Sequence, residues 1–457
     1  MNTFQNLLDQ NIARFRSMIP DAVAQLNWNR AQIEAEQTRR LRQTLAHAKE
    51  NSPFYAERLQ DINPHNFTRA DLPSIPVLTK EEVMTHWDQI VTDPRLSLAK
   101  ANAHLERFRE GETDNIYFLD EYYLCATGGS SGRRGLFLWD SEHFATTTAI
   151  MYRIDARRDQ QRPPTRQRTA VICAGSYLHG SRMLFPNTAD PERQLHIISA
   201  GTPIPEIVER LNTFQPDRLV SYSSVVEELC HTAKAGQLQI ALQQIYVNSE
   251  PLSDLARRLS KKIWGIDIHN SWGSVELGIA GVEGDQFEGI LLAEDYNVFE
   301  AFDESGKSIE EGPADHLVVT RLFNKTFPLI RYVMTDSPVM AKPGATDAPG
   351  YRRILELKGR SDVWFDYPDG PHLHPMVFRG ILGQEASIIE YQVRQTSKGA
   401  DVDLIVSDAP DLERIRRSLV DKLIAKGLKQ PEVAIAVVSE LIRHPETNKL
   451  SRFVALK

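Results

Sequence analysis

From about residue 117 short apolar runs alternate with amphipathic stretches, and the alternation predicts the elements one by one. "TAVICAG" (169–175) predicts a buried strand and "IPEIVERLNTFQ" a helix. "RLVSYSS" then predicts a strand and "VVEELCHTAKAG" a helix closed by Gly236, and "LQQIYVNSE" a strand followed by the helix "LSDLARRLSKKIWG", closed by Gly265. Repeated strand–helix units of this kind imply a parallel sheet covered by helices. Ligands in such sheets sit beyond the carboxyl ends of the strands.

On either side of this region the pattern changes. Upstream, "AEQTRRLRQTLAHAKENSPFYAERL" spaces Leu41, Leu45, Ala48 and Phe54 at roughly helical intervals with charge opposite, which predicts an amphipathic helix packed on the body. From about residue 286 the runs "EGILLAEDYNVFEAFDESGK", "ADHLVVTRLFN" and "FPLIRYVM" are separated by glycine, proline and acidic turn residues and predict strands. Beyond "LKGRSDVWFDYPDG" come "DVDLIVSD", the helix "DLERIRRSLVDKLIAKG" and "EVAIAVVSELI", enough for a small β-α-β domain with its boundary near Ser361 and Asp362. The expected fold class is therefore α/β. A large N-terminal domain (1–361, with 1–116 a largely helical lead-in) combines mainly parallel sheets covered by helices with a β-rich portion. A small, mobile α+β domain follows at 362–457.

Composition narrows the partners. At 457 residues the chain exceeds what one hydrophobic core usually organises, and its net charge of -8 argues against a surface built to coat nucleic acid. Cys125, Cys173 and Cys230 are too dispersed for a metal knuckle or a disulfide framework, which fits a reducing compartment. The first thirty residues hold no apolar signal core, and no stretch approaches the ~18 apolar residues of a membrane span. The expectation is a cytoplasmic protein, monomer or homodimer, that acts on small molecules and binds neither membrane nor nucleic acid.

The chemistry concentrates in "LCATGGSSGRRGLFLWD" (124–140). A Walker loop would follow Gly132 with lysine and a hydroxyl residue, but Arg133 and Arg134 stand there. Residues 128–132 do satisfy Gly-x-Ser-x-Gly, the nucleophile elbow of serine hydrolases with Ser130 as nucleophile. An elbow runs from strand into helix, however, whereas "LFLWD" has strand character. The two readings that fit the context are an ordinary strand connection and a hairpin loop whose backbone N–H groups and hydroxyls wrap phosphate oxygens.

Five motifs in order carry a resemblance. "TGGSSGRRG", "SWGSVE", "PLIRYVMTD", "GRSD" and "NKLSR" resemble the motifs of the adenylate-forming superfamily, the acyl-CoA synthetases and adenylation domains. "LRQTLAHAKENSPFY", "LPSIPVLTKEEV" and "FNKTFPLIRY" are similar to its phenylacetate-CoA ligase and capsule-type branch. The resemblance runs from about residue 38 to the end. It implies that ATP activates a small carboxylic acid, aromatic by membership of that branch, as an acyl-adenylate, with transfer to coenzyme A.

The same resemblance assigns residues. Thr127, Gly128, Gly129, Ser130, Ser131 and Gly132 would cradle the phosphates, and Glu276 would supply the carboxylate ligand of Mg2+. Asp336 would accept the ribose hydroxyls and Arg360 would add a ribose or phosphate contact. Ser249, Glu250 and Pro251 of "NSEPL" would back the adenine, and Trp272, Gly273 and Ser274 would flank it or the acyl site. His179 would approach the substrate carboxylate. Lys449 would stabilise charge between that carboxylate and the α-phosphate, and Asp362 would be the hinge of the small domain. Thr335 and Asn448 stand where the family has glycine, and the arginines after Gly132 replace its lysine and proline. Tyr177, Tyr222, Trp272 and Phe323 are candidates to line an aryl pocket. An amine acceptor or a carrier-protein thiol remains open beside coenzyme A, as do a serine hydrolase and a non-catalytic nucleotide-binding protein.

Overall fold

The structure, a computed structural model, describes residues 3–126, 135–161, 167–175, 177, 179–185, 194–343, 350–360, 365–368, 370–373, 376–382, 385, 387–406, 408–443 and 450–456. They form two compact units. The first comprises Met1–Arg166, Ser176–Pro191 and His269–Leu357, and the second Gln167–Gly175, Glu192–Ile268 and Lys358–Lys457. The boundary expected at Ser361 and Asp362 lies outside the described residues.

In the second unit the strands Gln244–Asn248, Arg218–Ser221, Arg168–Cys173 and Gln194–Ser199 lie side by side in that order, all parallel. The helix Ile204–Phe214 links Gln194–Ser199 to Arg218–Ser221, Ser223–Lys234 links that strand to Gln244–Asn248, and Asp254–Trp264 follows, each with apolar residues in the core beside the sheet. Gly265 caps the last of these at φ +74°, and Gly236 stands at φ +75° just beyond the Ser223–Lys234 helix. Glycine reaches this left-handed conformation without steric cost, which is why both helices stop there.

The same unit holds the C-terminal stretch. Its four-stranded sheet runs Glu432–Val437, Gly399–Val406, Ile388–Gln395, Phe453–Val454, parallel at both outer pairs and antiparallel in the middle. The helix Leu412–Ala425 presents Ile415, Leu419 and Leu423 to a core shared with Phe365, Phe378, Val393 and Leu404.

The first unit pairs its strands antiparallel. Tyr122–Ala126 and Leu136–Trp139 form a hairpin with Ala126 opposite Leu136. A strand therefore follows the glycine-serine stretch, and the strand-to-helix context of a hydrolase elbow is absent. Ile268–Ser274, Gly278–Gly284, Phe287–Leu292 and Arg353–Arg360 make one sheet; Asn297–Phe302, His316–Arg321 and Tyr332–Met334 belong to another. Of the expected strand "FPLIRYVM" only Tyr332–Met334 is one. Pro328 has no N–H to donate, and Arg331 sits at φ +53° with its guanidinium on Glu300 at 3.0 Å, so the chain breaks before Tyr332.

The two N-terminal helices are tied to this antiparallel body. Thr3–Gln25 packs on the helix Ser141–Gln161, with Phe15 stacked on Tyr152 at 5.9 Å. Arg30–Asn51 opens with a capping box between Asn29 and Gln32 and buries Ile33, Gln37, Leu41, Leu45 and Ala48. Phe54 falls in a separate short helix, Pro53–Arg58, started by Ser52. Arg30 and Arg352 grip the fully buried Glu294 at 2.7 and 2.8 Å, and Gln37 donates to the Asn297 carbonyl at 2.8 Å. Burial pushes the Glu294 carboxyl up, but the two guanidiniums outweigh it and hold it below the usual range. No helix among the described residues is long and apolar enough to cross a membrane.

Candidate active site

Glu276 occupies the turn between the strands Ile268–Ser274 and Gly278–Gly284, and side chains from elsewhere in the first unit hold the backbone of that turn. Trp139 Nε1 donates to the Val275 carbonyl at 2.9 Å, Arg321 donates to the Glu276 carbonyl, and the Ile279 N–H donates to Thr147 Oγ1. Ser274 Oγ accepts from the Leu277 N–H at 3.2 Å. The glycines permit the close approach: a Cβ on Gly273 would stand 2.1 Å from the Gly278 carbonyl oxygen, and Gly278 itself sits at φ +72° against Thr147 and His143.

Beneath the turn, His143 stacks on Trp139 at 4.6 Å and its Nδ1 accepts from Asn324 Nδ2 at 2.9 Å and from Arg321 at 3.3 Å. An Nδ1 that accepts from two donors places the ring proton on Nε2. Burial first, and the Arg321 charge second, push this imidazole well below its ordinary value, so it is neutral at pH 7. Asn324 closes the set by donating to the Leu138 carbonyl at 2.9 Å and accepting from the Phe327 N–H at 2.8 Å.

What this scaffold presents is a carboxylate. Glu276 is 8% exposed, and its Oε1 lies 3.4 Å from the Tyr332 hydroxyl. It stands close enough to Cys125 that, after burial, its charge contributes to raising that thiol well above the ordinary value. Cys125 belongs to the strand that leads into the glycine-serine stretch. Among the described residues no group of three or more His, Cys, Asp or Glu side chains could hold a metal. One carboxylate fits Mg2+ that arrives with phosphates and keeps much of its water, which is how this ion is usually held.

Trp272, on the same strand, is 5% exposed, packs on Phe299 at 6.1 Å, and its indole N–H has no hydrogen-bond partner among the described residues. A buried donor left unpaired costs ~1–3 kcal/mol, so this N–H is available to an acceptor. Buried His179 precedes the helix Gly180–Met183, and a Cβ on Gly180 would stand 3.5 Å from Trp139, the residue that holds Val275. Asp336 opens the strand Asp336–Met340 and is half-buried.

In the second unit Ser249 follows the strand Gln244–Asn248 at its carboxyl end, exposed and at φ +67°, strain that a non-glycine residue carries only where its surroundings enforce it. On the adjacent strand the Ser221 hydroxyl is buried without a partner among the described residues. Glu250, half-buried, accepts from the Ser224 N–H and the Leu450 N–H, each at 3.1 Å. Pro251 is exposed. Arg360 ends its strand, but its side chain, together with Thr127, Gly128, Gly129, Ser130, Ser131, Gly132, Asp362 and Lys449, lies outside the described residues.

The structure thus brings Trp272, Gly273, Ser274 and Glu276 together on one strand and turn, with the His179 segment alongside. It adds Arg321, His143 and Thr147, which no motif contains, and Asn324 and Tyr332, which lie within "FNKTFPLIRY" but carry no assigned role there. One signal was present: "HFATTTA" places a histidine and three threonines where the helix Ser141–Gln161 is buried on every side. Two of the aryl-pocket candidates are buried. Tyr222 is fully covered in the core of the parallel sheet, and Phe323 packs edge-on to His143 and Tyr296.

This fold defines a class. It superposes on a 2-hydroxyisobutyryl-CoA ligase solved in its postadenylation state with R3-HIB-AMP, with a TM-score of 0.70 at 15% identity over 94% of this chain and 91% of that one. The sequence relatives narrow the class to a branch. Protein CapK of Staphylococcus aureus is 23% identical over 311 residues, 66% of this chain and 62% of its own length. The phenylacetate-coenzyme A ligase of Escherichia coli (strain K12) is 24% identical over 353 residues, 72% of each chain. No protein-family model matches the chain. By fold it is similar to an acyl-CoA ligase, and by sequence it is similar to the phenylacetate-coenzyme A ligases and to CapK, the likeness that the motifs imply.

Proposed function

We propose that the protein activates a carboxylic acid with ATP as an acyl-adenylate and passes the acyl group to coenzyme A. The observation that carries this reading is Glu276, a single carboxylate on a turn whose backbone is fixed by Trp139, Arg321 and Thr147, beside the strand that enters the glycine-serine stretch. Bound Mg2+ would neutralise phosphate charge at that carboxylate. Residues 127–132 donate to the phosphates, Asp336 and Arg360 hold the ribose, and the strained Ser249 turn with Pro251 backs the base. Trp272 offers its unpaired N–H to the bound adenylate.

In the first step a substrate carboxylate oxygen attacks the α-phosphorus and the bond to the pyrophosphate oxygen breaks. Two anions must approach, so the step depends on positive charge placed at the developing pentavalent centre, the role of Lys449 with His179 near the carboxylate. In the second step the thiolate of coenzyme A attacks the acyl carbon and AMP leaves, the small domain 362–457 having turned about Asp362. The names of the phenylacetate-coenzyme A ligase relatives support an aromatic acid.

The test is pyrophosphate release from ATP and Mg2+ over a panel of aryl and aliphatic acids, each with and without coenzyme A. Release that depends on one acid and accelerates with coenzyme A is the expected result. Acid-dependent release that only an amine or a carrier protein accelerates would move the acceptor assignment, and silence across the panel would refute the reading.

A further inference from the structure

A second cluster of charged side chains lies in the parallel-sheet unit. It joins the helix Ser223–Lys234 to the C-terminal stretch. Arg443 donates to Glu228 at 2.9 Å, to Ser224 Oγ at 3.2 Å and to Glu390 at 2.8 Å. Arg452 donates to both oxygens of Glu227 at 3.2 and 3.4 Å and lies over the Tyr391 ring. Ser253 Oγ also donates to Glu227. Arg443 and Leu450 face each other in an antiparallel bridge, and Glu250 spans from the Leu450 N–H to the Ser224 N–H. Gln392 donates to the carbonyls of Ile442 and Ser451 at 2.8 and 3.0 Å.

Most of these bonds act on the residues that flank Lys449 in sequence: Ile442 and Arg443 before it, Leu450 directly after it, and Ser451 and Arg452 beyond. We propose that Arg443 and Arg452 are positioning residues for the adenylation half-reaction, fixing the chain on both sides of Lys449 against the helix Ser223–Lys234. The proposal rests on the ligase reading for its catalytic consequence, but not for the docking itself.

Among the described residues the cluster holds more acid than base, Glu227, Glu228, Glu250 and Glu390 against Arg443 and Arg452. Burial outweighs the guanidiniums: it raises Glu227 and Glu228 and, with those two carboxylates adding to it, holds Glu390 up to about 8. Glu390 Oε1 is buried without a partner among the described residues, an arrangement that favours a proton on this carboxyl. The charged groups around Glu390 are Arg443 and Arg452 from the C-terminal stretch and Glu227 and Glu228 from the helix. Glu250 acts on both members of the latter pair and Glu440 on Glu228. Because the docked state raises the Glu390 carboxyl, docking is favoured by protonation and weakens as pH rises through about 8.

Two measurements on the full-length chain test this. In the first, Arg443→Gln and Arg452→Gln are assayed for acid-dependent ATP–pyrophosphate exchange and, separately, for thioester formation from supplied acyl-adenylate and coenzyme A. Exchange should fall roughly tenfold to a hundredfold, the scale of a reacting group misplaced by about an ångström, while thioester formation holds. Arg443→Lys should restore part of the loss. The ratio of exchange to thioester formation in the unmodified protein should decline above about pH 8, and Glu390→Gln should flatten that decline. Equal loss of both half-reactions, or full exchange in Arg443→Gln, would overturn the proposal.

The second measurement is hydrogen–deuterium exchange without substrate. Arg443→Gln, or Arg443→Lys if the first variant does not fold, should lower protection in the Ser223–Lys234 helix and at 388–395 relative to the unmodified chain. Unchanged protection refutes the docking even if no acid in the panel supports turnover, so failure of the ligase reading and failure of this proposal are told apart.

Discussion

Replacing Gly278 by alanine asks whether the Glu276 turn is as fixed as its hydrogen bonds imply. The new Cβ would stand 2.2 Å from Thr147 Oγ1, 2.8 Å from Thr147 Cβ and 2.9 Å from His143 Nε2. Neither neighbour can yield cheaply, since Thr147 is bonded to the Ile279 N–H and His143 is stacked on Trp139 and held through Nδ1. Alanine at φ +72° costs ~1–2 kcal/mol in conformation alone. Forcing a methyl into a packed site adds ~1–3 kcal/mol. The sum, about 2–5 kcal/mol, is a large part of the ~5–15 kcal/mol that stabilises a typical fold. Gly306 supplies an internal control: it has φ +78° and an added methyl there would meet nothing within 4 Å, so Gly306→Ala isolates the conformational part. Urea unfolding of both variants gives the comparison as a shift of midpoint at unchanged slope, and pyrophosphate release should fall about a hundredfold in Gly278→Ala alone. A Gly278→Ala midpoint no lower than that of Gly306→Ala would show that the turn yields freely, and the argument for a preorganised Glu276 would fail with it.

Other consequences are as direct. Glu276→Gln keeps the shape and removes the charge, so pyrophosphate release should drop about a hundredfold while the urea midpoint holds; unchanged release would remove Glu276 from the site. His143 is held neutral when folded, so the unfolded chain binds the extra proton as pH falls below about 6.5; stability should be full above that pH and decline below it, and His143→Gln should flatten that part of a stability-versus-pH curve. Arg153 and Asp295 form a fully buried pair, so Arg153→Met should cost ~3–5 kcal/mol in urea unfolding, and Arg153→Met with Asp295→Leu should recover most of it.

The parallel region is readable from sequence because each element there carries its own period and its own stop. The strands at 169–248 are short apolar runs, and Gly236 and Gly265 stand where the chain must turn left-handed. The motif order points to Trp272, Gly273, Ser274 and Glu276 in the same way. What holds Glu276 in place has no local signature. His143 meets Asn324 across 181 residues and Arg321 meets the Glu276 carbonyl across 45, so no window of sequence contains both partners. The break in "FPLIRYVM" is hidden for a related reason: Arg331 leaves the strand region to reach Glu300, 31 residues away. Likewise the backbone partners of Glu250, Ser224 and Leu450, come from opposite directions along the chain, well outside the segment "NSEPL".

The grip of Glu294 on Arg30 also sets a timetable for synthesis. The two residues are 264 positions apart, and a ribosome adding ~5–20 residues per second needs about 13–50 s to make the second after the first. During that interval the apolar faces of Thr3–Gln25 and Arg30–Asn51 have emerged, while the Asn297 carbonyl and Glu294 that fasten the second helix do not yet exist. The Arg30–Asn51 helix thus leaves the ribosome long before the residues that fasten it, and in the meantime Ile33, Leu41 and Leu45, buried in the finished fold, are open to non-native contacts.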